Sequence, residues 1–275
     1  MNKLTSVLVA AAVWSVSGFS QAASVDDAAL KTAIDHPVRS MTNKARDKYR
    51  HPLETLSFFE VTPKSTVVEI SPGSGWYTEI FAPLLKDAGK YYAAHQPANS
   101  TSDYAKRTLA AFNAKLAADP VYKNVVVTEF APIAGQKVAP DGSADVVVTF
   151  RNLHNWYMQK GDESLLNSFK SFYAALKPGG VLGVVEHRLP ESRLNTDWTK
   201  SGYMPQSLVV KLAEQAGFVL EATSEVNANP KDTADYPGGV WTLPPTLSQK
   251  DVDKDKYLAI GESDRMTLKF RKPLK

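Results

Sequence analysis

The chain has 275 residues, of which 43% are hydrophobic and 22% charged, and its formal net charge is +3. This length and composition predict one large globular domain and argue against disordered and fibrous classes. The small net charge gives no argument for nucleic acid or an anionic membrane as a partner. The absence of cysteine excludes thiolate nucleophiles, cysteine-ligated zinc and iron–sulfur clusters.

The first 22 residues have the pattern of a secretory signal peptide. Lys3 is followed by the apolar stretch LTSVLVAAAVWSVSGF, and Ser20 and Ala22 place small residues where a signal peptidase cleaves. We expect cleavage after Ala22, or alternatively after Ala23, and a mature protein that is periplasmic or secreted. A retained membrane anchor is the other interpretation, but it needs a longer apolar span. No other segment is long and apolar enough to cross a bilayer, so no stable membrane insertion is expected after cleavage.

Residues 23–62 are expected to form a helical flap in front of the main domain. SVDDAALKTAIDH reads as a short helix started by Ser24 and Asp26. SMTNKARDKYRHPLETLSFFEV reads as one or two further helical pieces, broken before Pro52 because the residue before a proline disfavours the helical conformation.

From residue 63 to the end, strand and helix patterns alternate. The predicted strands are TVVEIS, KYYAAH, NVVVTEF, ADVVVTF, GVLGVVEH, FVLEATSEV and RMTLKFRK. The predicted helices are WYTEIFAPLLKDAG, SDYAKRTLAAFNAKLAAD, DESLLNSFKSFYAAL and MPQSLVVKLAEQAG. Continuous valine runs indicate strands buried on both faces, whereas the alternation in RMTLKFRK is typical of a sheet edge. The order predicts a doubly wound α/β domain with a mostly parallel, seven-stranded sheet.

A long segment rich in proline and glycine, residues 227–264, precedes the last strand. Its aromatic residues, Trp241 among them, argue against disorder, so we expect a lid. The polar residues at its start favour a functional role over ordinary turns. They are Asn227, Asn229, Lys231 and Asp232. Glu262, Asp264 and Arg265, at the end of the lid and just beyond it, are more typical of a local ion pair than of a site.

The stretch VVEISPGSGWYTEI, residues 67–80, joins the first strand of the domain to its first helix. In an open α/β sheet, ligands bind at the carboxyl ends of the strands, where the strand order reverses. Glu69 ends this strand, and Gly73 and Gly75 allow a tight turn that approaches a ligand closely. The free N–H groups at the start of the helix face the same space. A purely structural turn is the alternative, because any strand-to-helix connection can use glycine.

The motif EISPGSG, residues 69–75, resembles the first motif of class I S-adenosylmethionine-dependent methyltransferases, in which an acid is followed by alternating glycines. The resemblance continues in TEF, SADVVVTFRNLHNW, FYAALKPGGVLGVVEH and LAEQAGF. More narrowly, the mature chain resembles exported bacterial proteins called predicted methyltransferases, in HPVRS, PGSGWYTEI, TFRNLHNW, GVVEHR, NANPKDT, GVWTLPP and GESDRMTLKF. The resemblance implies a Rossmann-like methyltransferase fold with an antiparallel last strand, S-adenosylmethionine as the cofactor, and methyl transfer as the activity.

The resemblance also implies which residues of the first turn bind the donor. The turn of Gly73 and Gly75 would pass under the amino acid portion of S-adenosylmethionine. Glu69 would hold the ammonium group of the donor, directly or through water. Ser71 stands where the superfamily has its first glycine, and the motif tolerates it if the hydroxyl points away from the ligand.

Further donor contacts are implied after the third and fourth strands. Glu129 lies where the superfamily often has an acid for the adenine amino group, and Phe130 would lie against the ring face. Arg151 and Asn152, just beyond the fourth strand, would lie near the donor carboxylate or the acceptor.

The sequence departs from the superfamily pattern at the end of the second strand. There the superfamily has an acid that holds the ribose hydroxyls, and this chain has His95 and Gln96. Both side chains accept a hydrogen bond, but neither offers two carboxylate oxygens to a diol. This departure and the predicted export favour an alternative function, a catalytically inactive periplasmic binding or accessory protein with the same fold.

Three candidates for catalysis follow two adjacent strands. His154 lies beyond the fourth strand, and Glu186 and His187 end the fifth, so all three are expected in one cleft. Histidine titrates near neutral pH, which makes His154 the predicted general base toward a small-molecule acceptor, oriented by Glu186 or His187. A structural role for either histidine is the alternative, since strand ends need polar caps. The aromatic residues that could line an acceptor pocket are Trp76, Tyr77, Trp156 and Tyr157.

No metal site is predicted. The five histidines contain no His-Glu-x-x-His spacing, which a zinc peptidase needs. Metal assistance through Glu186, His187 and an acid of the lid is a minor alternative.

Overall fold

The computed structural model describes residues 25–275, with side chains from residue 27 onward. The predicted signal peptide lies outside the described residues. The helices are α1 (Val25–Asp35), α2 (Met41–Lys44), α3 (Asp47–Arg50), α4 (Pro52–Phe58), α5 (Thr78–Leu85), α6 (Asp103–Ala118), α7 (Leu153–Lys160), α8 (Asp162–Ala175), α9 (Gln206–Gln215) and α10 (Lys254–Ile260). The strands are β1 (Thr66–Ile70), β2 (Lys90–His95), β3 (Val125–Glu129), β4 (Ala144–Phe150), β5 (Leu176–Leu189), β6 (Met204–Pro205), β7 (Val219–Ser224) and β8 (Arg265–Arg271). Within the described part of the chain, no helix has the length and apolarity to span a membrane.

One mixed sheet of eight strands organises the molecule, with the order β3-β2-β1-β4-β5-β8-β7 and β6 paired to the end of β5. The pairs among β1 to β5 are parallel, whereas β8 is antiparallel to both β5 and β7. The predicted α/β fold with an antiparallel last strand is therefore confirmed. The two-residue strand β6 is the addition to the seven predicted strands.

Helices cover both faces of the sheet because successive strand residues point to opposite sides. In β1, Val67 packs toward α1, α4 and α5, whereas Val68 and Ile70 pack toward α7, α8 and α9. The N-terminal helices α1 and α4 thus complete one of the two main cores. The predicted break before Pro52 is present, since α4 begins at this proline directly after His51, which has a φ of 39°.

Two expectations about individual strands were wrong. β8 lies between β5 and β7 and is largely buried, so it is not an edge strand despite its alternating sequence. β3 is an edge strand, with Val126 and Val127 37% and 41% exposed, although its valine run predicted burial on both faces. In the described part of the chain β3 pairs with β2 alone, and these two valines are exposed to solvent.

The strand order places a binding site at a definite point. β1 lies beside β4 in the middle of the sheet. The connection after β1 runs toward β2, and the connection after β4 runs in the opposite direction, toward β5. Loops after β1 and β4 therefore separate at their carboxyl ends and leave a crevice between them. The EISPGSG turn and the residues after Phe150 border this crevice.

Candidate active site

The turn after β1 is built from left-handed backbone conformations. Ser71 has a φ of 53°, and Gly73 and Gly75 have φ values of 60° and 82°. The Ser71 N–H donates to the Ala94 carbonyl at the end of β2, over 2.8 Å. Ser71 thus adopts the conformation that a glycine of the motif would adopt, and its backbone bond to β2 holds it there.

The two glycines of the turn have different surroundings. A Cβ atom built on Gly73 has no heavy atom within 4 Å, and this residue lines the crevice. A Cβ atom on Gly75 would lie 3.1 Å from Lys115 Cδ and 3.2 Å from Phe112 Cε2. Gly75 therefore serves the close packing of the turn on α6, while Gly73 leaves room for a ligand. Both were predicted to bind the donor, and only Gly73 reaches the cavities.

Two adjoining cavities fill the crevice. The first, of about 320 Å³, lies against α3, the EISPGSG turn and His154. The second, of about 670 Å³, lies between the turn, the loop after β2 and the loop after β3. Six residues line both cavities, so the two form one continuous site. They are Ser71, Gly73, Tyr104, Asn152, Asn155 and Trp241.

Asn152 ties the ends of β1 and β4 together beneath these cavities. Its Nδ2 donates to the carbonyl of Ile70 over 3.1 Å and to Thr149 Oγ1 over 3.2 Å. The side-chain amide is thus committed to the scaffold, and the residue shapes the crevice at the point where the two cavities meet.

Glu69 is buried below the first cavity, with 3% of its surface exposed. Its Oε2 accepts a hydrogen bond from the Tyr91 hydroxyl over 2.5 Å. Burial raises the pKa of Glu69 to about 7, and the hydrogen bonds from Tyr91 and Thr78 offset part of that rise. Glu69 lines the first cavity, where a cationic group of a ligand would favour its ionised form.

His95 supports the turn from below. Its Nδ1 accepts from the Gln96 backbone N–H over 2.9 Å, so Nε2 carries the proton and donates to the Gly73 carbonyl over 3.1 Å. Burial lowers the pKa of His95, which favours this neutral form. Gln96 lines the second cavity, and its buried Oε1 has no hydrogen-bond partner among the described residues. Of the two residues at the predicted ribose position, Gln96 offers a free acceptor and His95 does not line the cavities.

Glu129 and Phe130 are adjacent in the chain but have different surroundings. The Glu129 carboxylate accepts from the Ala98 backbone N–H over 3.0 Å, and the residue lies outside both cavities. Glu129 therefore secures the loop after β2. Phe130 is buried, lines the second cavity, and packs against Trp156 with 4.8 Å between ring centroids.

A histidine–carboxylate pair lies at the wall of the first cavity. His154 Nδ1 is 2.9 Å from Glu186 Oε1, and Glu186 is fully buried in the last part of β5, three residues before its end. The same carboxylate accepts from the backbone N–H of His187 over 2.7 Å. Because Nδ1 is bound by Glu186, the ring nitrogen of His154 left for a ligand is Nε2. Glu186 is thus the residue that orients His154, as one of the two alternatives predicted.

His187 also lines the first cavity but has a different partner. Its Nδ1 lies 2.5 Å from the Ser263 hydroxyl, and its ring centroid lies 5.2 Å from that of His154. Burial lowers the pKa of His187 well below its usual value, and the charges of His154 and Arg151 lower it further. At neutral pH His187 is therefore a neutral hydrogen-bonding group.

The ligand atoms of His154, Glu186 and His187 all lie within 4.8 Å of one another, a spacing that a metal ion could bridge. The carboxylate already binds His154, and the charges around the group are positive, which opposes a divalent cation. The acid of the lid envisaged as a third metal ligand is not in this group.

Arginines of the N-terminal helices were not predicted to contribute to the site. Arg46 and Arg50, spaced four residues apart around α3, line the first cavity together with Arg151. The Arg50 guanidinium lies over the Trp76 ring, 4.4 Å from its centroid. The spacing of two arginines on one helical face is the only sequence signal for them, and it is common on solvated helices.

The segment of residues 227–264 covers the crevice through its central part. Trp241 lines both cavities, and its ring centroid lies 5.9 Å from that of His154. The polar residues at the start of the segment hydrogen-bond to other parts of the protein and line neither cavity. Asn227 Nδ2 donates to Thr55 Oγ1 over 3.0 Å, and Asp232 accepts from the Tyr203 hydroxyl. These bonds anchor the segment to α4 and to Tyr203, the residue just before β6.

The remaining candidates are divided between the cavities and the core. Trp76 and Tyr77 line the first cavity and Trp156 lines the second, whereas Tyr157 stacks on Trp198 outside both. Glu262 and Arg265 form the ion pair that was predicted.

No family model and no curated protein sequence matches the chain. Solved structures do match it. A SAM-dependent methyltransferase from Aquifex aeolicus is 16% identical with a TM-score of 0.53, and the match covers 90% of this chain and all of that one. The [4+2]-cyclase SpnF is 16% identical with a TM-score of 0.56, over 88% of this chain and 86% of that one. Human N-acetylserotonin methyltransferase in complex with SAM is 14% identical with a TM-score of 0.51, over 89% of this chain and 56% of that longer one.

These likenesses extend over nearly all of the described residues and agree with the strand order of the sheet. At such low identity they establish the architecture rather than the activity. The chain therefore has the Rossmann-like fold of class I S-adenosylmethionine-dependent methyltransferases.

Proposed function

We propose that the protein is an S-adenosylmethionine-dependent methyltransferase that acts on a small-molecule acceptor. The observation that carries this proposal is the continuity of the two cavities at Gly73 and Asn152. One cavity has a glycine turn, a free buried acceptor and an aromatic wall, and the other has a histidine–carboxylate pair. Group transfer requires a donor and an acceptor to be held next to each other, and two adjoining cavities can hold them so.

The residues of the second cavity fit a nucleoside. Gly73 leaves open space where any other residue would place a Cβ atom. The buried Oε1 of Gln96 has no hydrogen-bond partner in the described part of the chain, and a sugar hydroxyl would supply the missing hydrogen. Phe130 and Trp156 give an apolar wall for a base, and the volume of about 670 Å³ is within the range of ligand pockets. Gln96 thus replaces the acid of the superfamily with a single acceptor.

The first cavity would then hold the methionine portion and the acceptor. Glu69 lines it and would bind the ammonium group. S-adenosylmethionine held by Gly73, Gln96 and Glu69 would supply an activated methyl group to the acceptor. His154 Nε2 would accept the proton that the acceptor loses, and Glu186 would stabilise the resulting imidazolium. Trp241 covers the junction and would exclude water.

Calorimetric titration with S-adenosylhomocysteine tests the donor site. Gly73→Ala places a methyl group in the cavity, and we expect its affinity to fall about tenfold or more. Gly142→Ala is the matched control, because Gly142 has a φ of 64° and open space around it but lies outside the cavities. Both variants carry the same backbone strain, so a difference between them reports ligand contact. Equal affinities in the two variants would contradict the assignment.

The alternative is a binding or accessory protein that has the fold without the donor. The observation in its favour is that His95 and Gln96 stand at the ribose position in place of a carboxylate, and that His95 is bound to the Gly73 carbonyl. No heat with millimolar S-adenosylmethionine or S-adenosylhomocysteine would select this alternative. Donor binding without turnover of any acceptor would select it as well.

We also propose that the mature protein acts in the periplasm or is secreted, after cleavage behind Ala22. The apolar stretch and the small residues of the first 22 positions support this proposal. Amino-terminal sequencing of the protein from a periplasmic fraction tests it. A mature chain that begins at Met1 would contradict it.

A further inference from the structure

Four arginines surround one side of the first cavity. Arg46 and Arg50 come from the region of α3, Arg151 follows β4, and Arg265 begins β8. The first three line the first cavity, and Arg50, Arg151 and Arg265 together border a small recess beside it. Four positively charged side chains from distant parts of the sequence therefore lie close together beside the first cavity.

The carboxylates nearby do not balance these arginines. Glu262 forms ion pairs with Arg46 and Arg265. Arg50 and Arg151 make no side-chain hydrogen bond or ion pair with any residue that the structure describes. Among residues 25–275, Glu69 is the one acid that lines the first cavity, and its raised pKa of about 7 keeps much of it neutral at neutral pH.

Unsatisfied nitrogen atoms accompany the unbalanced charge. Arg50 is 5% exposed, and its buried Nε has no hydrogen-bond partner among the described residues. One terminal nitrogen of Arg46 and the Nε of Arg265 are also buried and have no hydrogen-bond partner among the described residues. Buried donors without acceptors are rare in folded proteins, because each one loses its hydration without replacement.

The positive charges of these arginines lower one another's pKa values. Burial lowers the pKa of Arg50 well below its usual value, and the charges of Arg151 and Arg46 lower it further. Burial likewise lowers the pKa of Arg151 to about 10, followed by the charges of Arg265 and Arg46. The folded protein therefore holds these cations at the expense of stability, and an anion between them would relieve the repulsion.

We propose that Arg46, Arg50 and Arg151 bind the anionic group of the methyl acceptor, which is a small carboxylate or phosphate ester. Guanidinium groups bind both kinds of anion through paired N–H donors. The cavity volume of about 320 Å³ restricts the acceptor to a small molecule. His154, on the wall of the same cavity, faces the part of the acceptor that is methylated. The role of the anion as acceptor rests on the proposed function, whereas the anion site itself does not.

The donor has a carboxylate of its own, which is the competing occupant. One carboxylate pairs with one guanidinium in the bidentate geometry, so it would leave the other arginines unbalanced. The two occupants differ in their response to S-adenosylhomocysteine, which fills the donor site and leaves the acceptor site open.

The experiment is calorimetry on the purified protein at constant ionic strength in chloride. The probes are inorganic phosphate, benzoate and the neutral isostere benzamide, each with and without saturating S-adenosylhomocysteine. We expect phosphate or benzoate to bind and benzamide not to bind, and the tighter anion identifies the acidic group of the acceptor. Saturation with S-adenosylhomocysteine should change the anion affinity less than threefold.

Variants assign the binding to the arginines. Arg50→Gln and Arg151→Gln should each weaken anion binding about tenfold or more. Arg107→Gln is the control for net charge, because Arg107 lies exposed on α6 outside the cavities, and its anion affinity should stay within twofold. Arg50 also packs on Trp76, so circular dichroism checks the fold of its variant. The comparison of benzoate with benzamide on the unaltered protein needs no variant.

Two results would overturn this proposal. The first is the absence of binding by both anions to the unaltered protein. The second is competition between the anion and S-adenosylhomocysteine, together with a tenfold loss of S-adenosylhomocysteine affinity in Arg50→Gln, since the arginines would then hold the donor. Anion binding in a protein that gives no heat with S-adenosylhomocysteine would end the methyltransferase proposal and retain the anion site.

Discussion

The imidazole of His154 lies 2.9 Å from the carboxylate of Glu186, Nδ1 to Oε1, with both residues buried at the end of the parallel sheet. A carboxylate in this position fixes the tautomer of the ring and stabilises the cation that forms when the free nitrogen takes a proton. The pair is therefore suited to deprotonate an acceptor in the adjoining cavity.

His154→Ala should lower kcat about 10²- to 10⁴-fold, the range for loss of a general base. Glu186→Gln keeps a hydrogen-bond acceptor beside the ring but removes its charge, so we expect a smaller loss in kcat and little change in KM. The measurement is release of S-adenosylhomocysteine with a small carboxylate or phosphate ester as the acceptor. Glu191→Gln, at an exposed carboxylate that caps α9, is the control. Unchanged kcat in His154→Ala would rule out its role as the base.

Glu69 should make the unfolding free energy depend on pH. Its pKa is raised by burial to about 7 from a reference of 4.5, so between these values the folded state binds the proton and the unfolded state has lost it. Stability is then present at low pH and lost as pH rises through the folded pKa. From pH 5 to pH 8 the loss due to this group is on the order of 2 to 3 kcal/mol.

Urea denaturation at pH 5 and pH 8 measures this contribution when the protein is compared with Glu69→Gln. The variant cannot ionise at this position, so its stability should fall less over the same interval. Because other titrating groups such as His95 and Asp232 are common to both proteins, the difference isolates Glu69. Identical pH dependence in the two proteins would refute the assignment.

Gly239→Ala should disturb the cover over the cavities. A Cβ atom at Gly239 would lie 2.2 Å from the Ser201 carbonyl oxygen, and the residue has a φ of 58°. The neighbouring Val240 N–H donates to that same oxygen over 2.8 Å, so the chain must shift where Val240 and Trp241 line the first cavity. We expect a higher KM for both substrates, measured by steady-state kinetics.

Gly135→Ala is the control for backbone strain, since Gly135 has a φ of 73° and open space around it, away from both cavities. Its kinetic constants should match those of the unaltered protein. Equal KM values in the two variants would show that the seating of Trp241 does not govern access.

Chelation should leave the activity unchanged. His154, Glu186 and His187 have the spacing of metal ligands, but Glu186 already binds His154 and the arginines nearby repel a divalent cation. Turnover after dialysis against EDTA, with metal content measured by mass spectrometry, checks this expectation. Loss of activity on chelation and its recovery with one equivalent of zinc would contradict it.

The fold was predictable because strands and helices alternate with clear periods, and the EISPGSG turn identifies where the sheet begins. The same pattern placed His154, Glu186 and His187 together, since the carboxyl ends of adjacent parallel strands meet at one edge. These inferences depend only on local sequence and on the general geometry of parallel sheets.

Other features depend on contacts that a single sequence does not encode visibly. Arg46 and Arg50 line the cavity because α3 lies between α1 and α4 in the chain. The packing of α1 and α4 on the sheet places α3 beside the cavity. Glu129 has the position that the superfamily uses for adenine, yet a backbone N–H of the neighbouring loop binds it. Gly73 and Gly75 look equivalent in sequence, and only the position of α6 distinguishes them.

The indole of Trp76 has a consequence for measurement, because the guanidinium groups of Arg50 and Arg39 both lie over it, 4.4 and 4.8 Å from its centroid. Nearby cations shift the emission of an excited indole by their field, so an arginine that turns toward an incoming ligand changes the fluorescence. We therefore expect the emission of Trp76 to change when the arginine site is occupied, and Trp76→Phe should remove that part of the change.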